Sequence, residues 1–196
     1  MDLNKILFNL KFKNITKTSN ANVLELLKIR NQENIRNKMF TKKLITKHDH
    51  YLWLNKVKKN NKEDFFIIYY KEFVCGGLGI KNINKKFNMC DWAFYLSNEF
   101  NFPGLGASVE FKSINFIFDK YKLSKINCYV LKNNKTVINL HNKFFFVKVP
   151  ILDTEFDNYN INFSKNNVIK FFLDLKNWKI KSKKFISKFK IDAKKI

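Results

Sequence analysis

The chain has 196 residues, 45% of them hydrophobic and 22 of them Phe, with 38 Lys and Arg against 16 Asp and Glu for a formal net charge of +22. That apolar content excludes a disordered chain, and the length suits one domain with a real core. No run of about 18 apolar residues occurs, so no membrane span is expected. The start, "MDLNKILFNLKFKN", carries Lys and Asn too early for a signal peptide and reads as a strand. Cys75, Cys90 and Cys128 are odd in number and lack C-x-x-C spacing, as expected of reduced, buried thiols in a cytoplasmic protein. The positive charge is spread along the chain among Asn, Ile and Phe, a mixture that A/T-rich codons produce. No aromatic-and-basic RNA-binding motif accompanies it. The charge therefore suits small phosphorylated ligands better than nucleic acid.

In chain order, residues 5–13, "KILFNLKFK", alternate as a first strand. Val23, Leu26, Leu27 and Ile35 in "NANVLELLKIRNQENIRNKMF" fall at helical spacings. Thr46 opens a second helix, with Asp49 three residues on as a short-armed capping box. "DFFIIYY", "FVCGGLGIKNI" and "KFNMCDWAFYLS" then read as three strands of an antiparallel meander. After Gly106 a helix presents Val109, Ile114, Ile117, Phe118 and Tyr121 on one face. A strand "KINCYVLK", a helix "NKTVINLHNKF" and two apolar runs, "FFVKVPIL" and "NVIKFFLDL", follow. Residues 1–176 read as a single domain and 177–196 as a basic tail, either a surface helix packed on the domain, a frayed end, or a segment lying on an anionic membrane. No internal repeat appears. The fold class is α/β (α+β), a mixed and mostly antiparallel sheet with helices on both faces.

Pro103, Gly104 and Gly106 stand together in a chain with only 5 Gly and 2 Pro, where the fourth strand feeds a helix. A Gly-x-Gly there lets backbone N–H groups approach a phosphate at the helix N-terminus. The alternative is a tight turn that simply enters the helix.

That element order resembles the GNAT-type N-acetyltransferases, in which a Q/R-x-x-G-x-G/A loop holds the coenzyme A diphosphate. The stretch here is Asn101-Phe102-Pro103-Gly104-Leu105-Gly106-Ala107, with Asn101 in place of Gln or Arg. "NNKTVINLHNKFFF" resembles the family's N-x-x-A-x-x-L-Y-x-K-x-G-F: Asn134, Leu140, Lys143 and Phe146 match, Val137 stands for the small residue, His141 for Tyr and Phe145 for Gly. Arg30, Asn31, Arg36, Met39, Ile45, Thr46, His50 and Leu54 resemble the opening of the sugar-nucleotide N-acetyltransferases of pseudaminic-acid biosynthesis. With "GGLGIKNIN" and "DWAFYLS", the resemblance spans about Val23 to Leu175.

The resemblance implies a GNAT-like, seven-stranded sheet and transfer of acetyl from acetyl-CoA to the 4-amino group of a UDP-linked 4-amino-4,6-dideoxy sugar, for flagellin glycosylation. It implies coenzyme contacts from Phe94, Tyr95, Leu96, Gly104, Leu105, Gly106, Ala107, Asn134 and His141. Acceptor contacts would come from Arg30, Met39, Phe40, His50, Lys81 and Tyr95, with Trp53 nearby. Direct transfer needs a neutral amine, oxyanion donors and a proton for the leaving thiolate. His141 would supply that proton, unless it merely packs, and Asp91 would take the amine's proton, unless it is a solvated strand-end carboxylate. His48-Asp49-His50 is too closely spaced and isolated for a metal site, so no metal is expected. No stable membrane association or nucleic-acid partner is expected, and a homodimer is compatible. Acetylation of a protein N-terminus or another amine is the alternative activity, and a basic nucleic-acid-binding module the alternative class.

Overall fold

A computed structural model describes residues 2–152 and 165–192. Its seven strands are β1 (Leu10–Asn14), β2 (Asp64–Tyr70), β3 (Phe73–Asn84), β4 (Met89–Leu96), β5 (Lys125–Leu131), β6 (Val147–Val149) and β7 (Val168–Asp174). The helices are α1 (Leu3–Asn9), α2 (Asn20–Arg30), α3 (Glu33–Arg36), α4 (Lys47–Lys59), α5 (Leu105–Tyr121), α6 (Lys135–Lys143) and α7 (Leu175–Lys188). The strands form one sheet in the order β1-β2-β3-β4-β5-β7-β6. Every pairing is antiparallel except β4 with β5.

Two apolar layers cover the sheet, one on each face. Leu3, Ile6, Val109, Ile114, Ile117, Phe144 and Trp178 bring α1, α5, α7 and the end of α6 onto one face. On the other, α2 and α4 bury Val23, Leu26, Ile29, Leu54 and Val57 against Phe65, Ile67 and Tyr69 of β2.

The meander and the helix opened by Thr46 stand as expected; Thr46 Oγ1 accepts from the Asp49 N–H at 3.1 Å and donates to the Asp49 carboxylate at 2.8 Å. The N-terminus departs from expectation. The strand anticipated over 5–13 is a helix as far as Asn9, and only Leu10–Asn14 pairs with β2. Its apolar residues fit both periods. Asp2 starts the helix, its carboxylate capping the Asn4 and Lys5 N–H groups while Leu3, Ile6 and Leu7 turn inward. Lys112 Nζ then donates to the Leu7 and Leu10 carbonyls, closing the helix end.

The helical pattern through Ile35 also breaks in two, at Asn31–Gln32. Asn31 leaves the helix so that its amide can bond both ways with the Ile45 backbone, at 2.8 and 2.9 Å. Arg36 donates to the Asn31 and Lys42 carbonyls, and Arg30 to that of Thr41. These three residues therefore pin the 37–46 loop over the sheet.

The basic C-terminal segment is a packed helix. Asp174 caps α7, and Trp178, 2% exposed, donates to Asn115 Oδ1 at 2.9 Å. Phe185 stacks between Phe111 and Phe144. The last part of the segment, 193–196, lies outside the described residues.

Gly76 marks a close approach of two backbones. A Cβ there would sit 2.0 Å from the Tyr95 carbonyl oxygen, so Gly76→Ala must displace β4. We expect it to lower stability by about 1–3 kcal/mol, the usual cost of overpacking, read as a reduced urea midpoint. An unchanged midpoint would show that β3 and β4 can separate there freely.

Candidate active site

The site begins where the sheet stops being a sheet. β4 and β5 pair only at Met89↔Lys125, Cys90↔Ile126 and Asp91↔Asn127, whereas β4 stays paired with β3 as far as Leu96. From Trp92 to Leu96 the β4 backbone therefore has no strand on its β5 side among the described residues. Ala93, in the middle of a central strand, is exposed as a result. Unpaired backbone groups of this kind can bond an extended, amide-bearing chain as a missing strand would. Phe94, Tyr95 and Leu96 form this edge.

At the mouth of the opening, Gly104 adopts φ 87° and N-caps α5. A side chain there would strain the turn. The turn leaves the Gly106 and Ala107 N–H groups without backbone partners among the described residues, while Leu105 N–H bonds Phe102 and Ser108 N–H bonds Gly104. Two free donors on the first turn of a long helix make an anion seat. A Cβ on Gly106 would meet only Leu140 Cδ2, at 3.8 Å, so the fold leaves this position open. Asn134 N-caps α6 by accepting from the Val137 N–H.

On the α2/α4 face, antiparallel register aligns Lys81 with Asp91, Gly79 with Ala93 and Gly77 with Tyr95. Directly opposed residues share a face, so Gly77, Gly79 and Ala93 meet as three small residues on β3 and β4, with the Phe65 and Tyr95 rings lying over the two glycines and Ala93 exposed beside them. A Cβ on Gly77 would come within 2.6 Å of the Phe65 ring and 2.9 Å of the Tyr95 ring. An aromatic wall runs from Tyr95 through Phe65 and Trp53 to His50. Asp91 sits at the last paired rung, its oxygens accepting from Asn82 Nδ2 at 2.6 Å and Asn127 Nδ2 at 3.3 Å.

Three buried polar atoms on this face have no hydrogen-bond partner among the described residues: Arg30 Nη1, His50 Nε2 and Glu63 Oε1. Burial lowers the Arg30 pKa, with Tyr95 opposing and Arg36 adding, yet a guanidinium stays charged at neutral pH. Burial likewise lowers His50, against a bond to the Val23 backbone, so His50 is neutral. The Tyr95 phenol is pushed up by burial, with Arg30 opposing, and stays protonated. Met39 packs at the edge of this core, and the exposed Lys81 reaches Glu63 at 3.4 Å. The structure thus brings Arg30 beside Tyr95 and links His50 to Tyr95 through Trp53 and Phe65, whereas Asp91 lies apart with Asn82 and Asn127 and Lys81 opposite it; Met39 and Phe40 are on the loop that Arg30 pins.

His141 lies on the opposite face, 3% exposed, between Trp92, Phe146 and Phe171. Its Nδ1 is 2.8 Å from Glu110 Oε1, and the Cys128 thiol is also within hydrogen-bonding reach. Burial works against the imidazolium, but Cys128 and Glu110 outweigh it and push His141 up to about 10. Burial raises the Cys128 thiol, keeping it protonated, and raises the Glu110 carboxyl too, against the pull of the facing imidazole.

Sequence reasoning missed Glu110, Asn127, Gly77 and Gly79. Glu110 had a signal: it shares the helical stripe of Ile114, Ile117 and Tyr121, where a carboxylate needs a buried partner. Among the described residues no three His, Cys, Asp or Glu side chains form a metal-binding group. No helix among them is long and apolar enough to cross a membrane.

No family model matches the sequence. The acetyltransferase PseH of Campylobacter jejuni (strain 81-176) is 26% identical over 152 residues, covering 78% of this chain and 92% of that protein. The crystal structure of C. jejuni PseH in complex with acetyl coenzyme A superposes with a TM-score of 0.63 at 18% identity, over 85% of this chain and 99% of that one. The spermidine N-acetyltransferase of Vibrio cholerae, in complex with CoA and spermine, gives 0.73 at 17% identity, over 87% and 98%. The fold is the GNAT fold, and in sequence the chain resembles PseH.

Proposed function

We infer that this chain, a GNAT-fold protein resembling PseH, is an acetyl-CoA-dependent N-acetyltransferase acting on the 4-amino group of a UDP-linked 4-amino-4,6-dideoxy sugar. The reaction is direct transfer, on the route to pseudaminic acid and flagellin glycosylation, in the cytoplasm. Acetyl-CoA lays its diphosphate on the Gly106 and Ala107 amides and its pantetheine along Phe94–Leu96. The free β4 N–H groups then polarise the thioester carbonyl. The amine enters across Gly79 and Ala93, and Asp91, directly or through water, takes its proton. His141 gives a proton to the departing thiolate.

The observation that carries the acceptor assignment is Arg30 Nη1, a buried cationic donor with no partner among the described residues. A buried unpaired donor is costly, and an anionic acceptor removes that cost. The UDP diphosphate is such an anion. Spermidine is the second reading, favoured by the higher TM-score of the V. cholerae enzyme. A polycation requires a free acidic lining, whereas here Asp91 is held by two amides and faces Lys81 across the strands, and Glu63 lies 3.4 Å from the Lys81 ammonium.

The test is thiol release from acetyl-CoA with a panel of amines. UDP-4-amino-4,6-dideoxy sugars are expected to exceed spermidine and peptide N-termini by about 100-fold or more in kcat/KM, the discrimination a charge-matched polar site gives. UDP-N-acetylglucosamine, which lacks the amine, is expected to be inert. Equal turnover of spermidine or of peptides would overturn the sugar-nucleotide assignment.

A further inference from the structure

We propose that Glu110 is a positioning residue that orients the His141 imidazole and pairs with its charge, so that a buried His–Glu couple does here what a protonated hydroxyl does unaided. The proposal rests on the reading of His141 as the proton donor. Glu110 is 0% exposed in the middle of the core face of α5, where an ionised carboxylate is costly unless paired. Its Oε1 is committed to His141 Nδ1, and its Oε2 has no partner among the described residues. A carboxylate retained for packing alone would have both oxygens satisfied; this one is aimed at the imidazole.

In the imidazolium that this couple would hold, Nδ1 faces Glu110 and Nε2 is the nitrogen that would give up the reaction proton, with the Cys128 thiol within hydrogen-bonding reach of the ring. Trp92, Phe146 and Phe171 fix the ring, with centroids 5.9, 5.0 and 5.4 Å away. Trp92, whose ring centroid is 5.9 Å from the imidazole, is also the first β4 residue beyond the last rung shared with β5. The ionisable groups facing it are Glu110 from α5 and Cys128 from β5, with Asp91 of β4 acting on Cys128; Trp92, Phe146 and Phe171 bring no charge. As the C–S bond breaks, its electron pair leaves on sulfur and takes the proton from Nε2. Nδ1–H stays with Glu110, and solvent recharges the neutral ring after release.

Glu110→Gln keeps the side-chain shape and an acceptor for Nδ1–H but removes the charge. Three readouts are taken on the whole chain: the His141 titration by NMR, the kcat–pH profile with the best acceptor, and the coenzyme-induced Tm shift. We expect the His141 titration to fall from about 10 to the ordinary value of about 6.5 or lower. The alkaline limb of kcat should fall with it, lowering kcat at pH 8 by about 30-fold and at pH 6 hardly at all, with the Tm shift unchanged. Glu110→Asp should restore part of the limb. An unmoved titration would overturn the role of Glu110 and leave the His141 reading intact. A titration that moves while the kcat profile does not would overturn His141 as donor. Should Glu110→Gln not fold, the same change in a His141→Tyr background decides. A phenol needs no carboxylate to remain protonated, so no further loss of kcat is expected there, and a loss at pH 8 of about 30-fold would overturn the proposal.

Discussion

Gly106→Val is expected to fold like the wild-type chain and to lose the thermal stabilisation that coenzyme A gives. The structure separates these outcomes. A Cβ at Gly106 meets nothing of the fold closer than Leu140 Cδ2 at 3.8 Å, so the added methyls cost little in packing. They do stand among the donors on the first turn of α5, where the diphosphate must come within about 3 Å of the backbone. A wild-type chain at 100 times its Kd of coenzyme gains about 2.7 kcal/mol by mass action, which for a domain of this size raises Tm by several degrees. The variant should show no rise at the same concentration. Gly106→Ala, with one carbon, should lose less. A Val variant with undiminished stabilisation would show that the loop is only a turn and that the coenzyme lies elsewhere.

His141→Phe is expected to lower kcat by about 100-fold, the scale of a lost general acid, with coenzyme affinity near normal. Stability must be tracked alongside. The change leaves Glu110 buried without its cation, and breaking a buried pair costs about 3–5 kcal/mol. Combining it with Glu110→Gln removes the stranded charge, so stability should largely return while kcat does not. That split separates a catalytic imidazole from a packed one. His141→Tyr should keep most of the turnover at some cost in packing. Its alkaline limb should stay in place, since a phenol titrates at about 10 and so does this imidazole. A Phe variant within about twofold of wild type would remove His141 from the mechanism.

Phe145 shows how a motif can depart in residue and persist in backbone. It stands where the resembling pattern has Gly, and its φ of 68° lies in the left-handed region that Gly favours. A bulky residue holds that conformation at a cost of about 1–2 kcal/mol. The chain keeps the turn between α6 and β6, and Lys181 of α7 lies over the ring with Nζ 5.6 Å from its centroid. A letter-by-letter comparison records a mismatch there, although the geometry is retained.

Short-range physics was legible throughout. The Thr46 capping box, the apolar strand-forming runs of β2 to β4 and the Gly104–Gly106 turn are each decided by residues within a few positions of one another, so the amino-acid sequence alone determined them. Where two local readings competed, distant contacts chose between them. The first segment became a helix because α5 supplies Lys112 to close its end, and α2 ended because Asn31 bonds to Ile45. The splay of β4 from β5, the alignment of Gly77 with Tyr95 and Gly79 with Ala93, and the meeting of Glu110 with His141 from two separate helices came from tertiary structure alone. An open strand edge and a buried ion pair are properties of groups far apart in the chain. Their energies depend on register, burial and distance, which no stretch of sequence carries by itself.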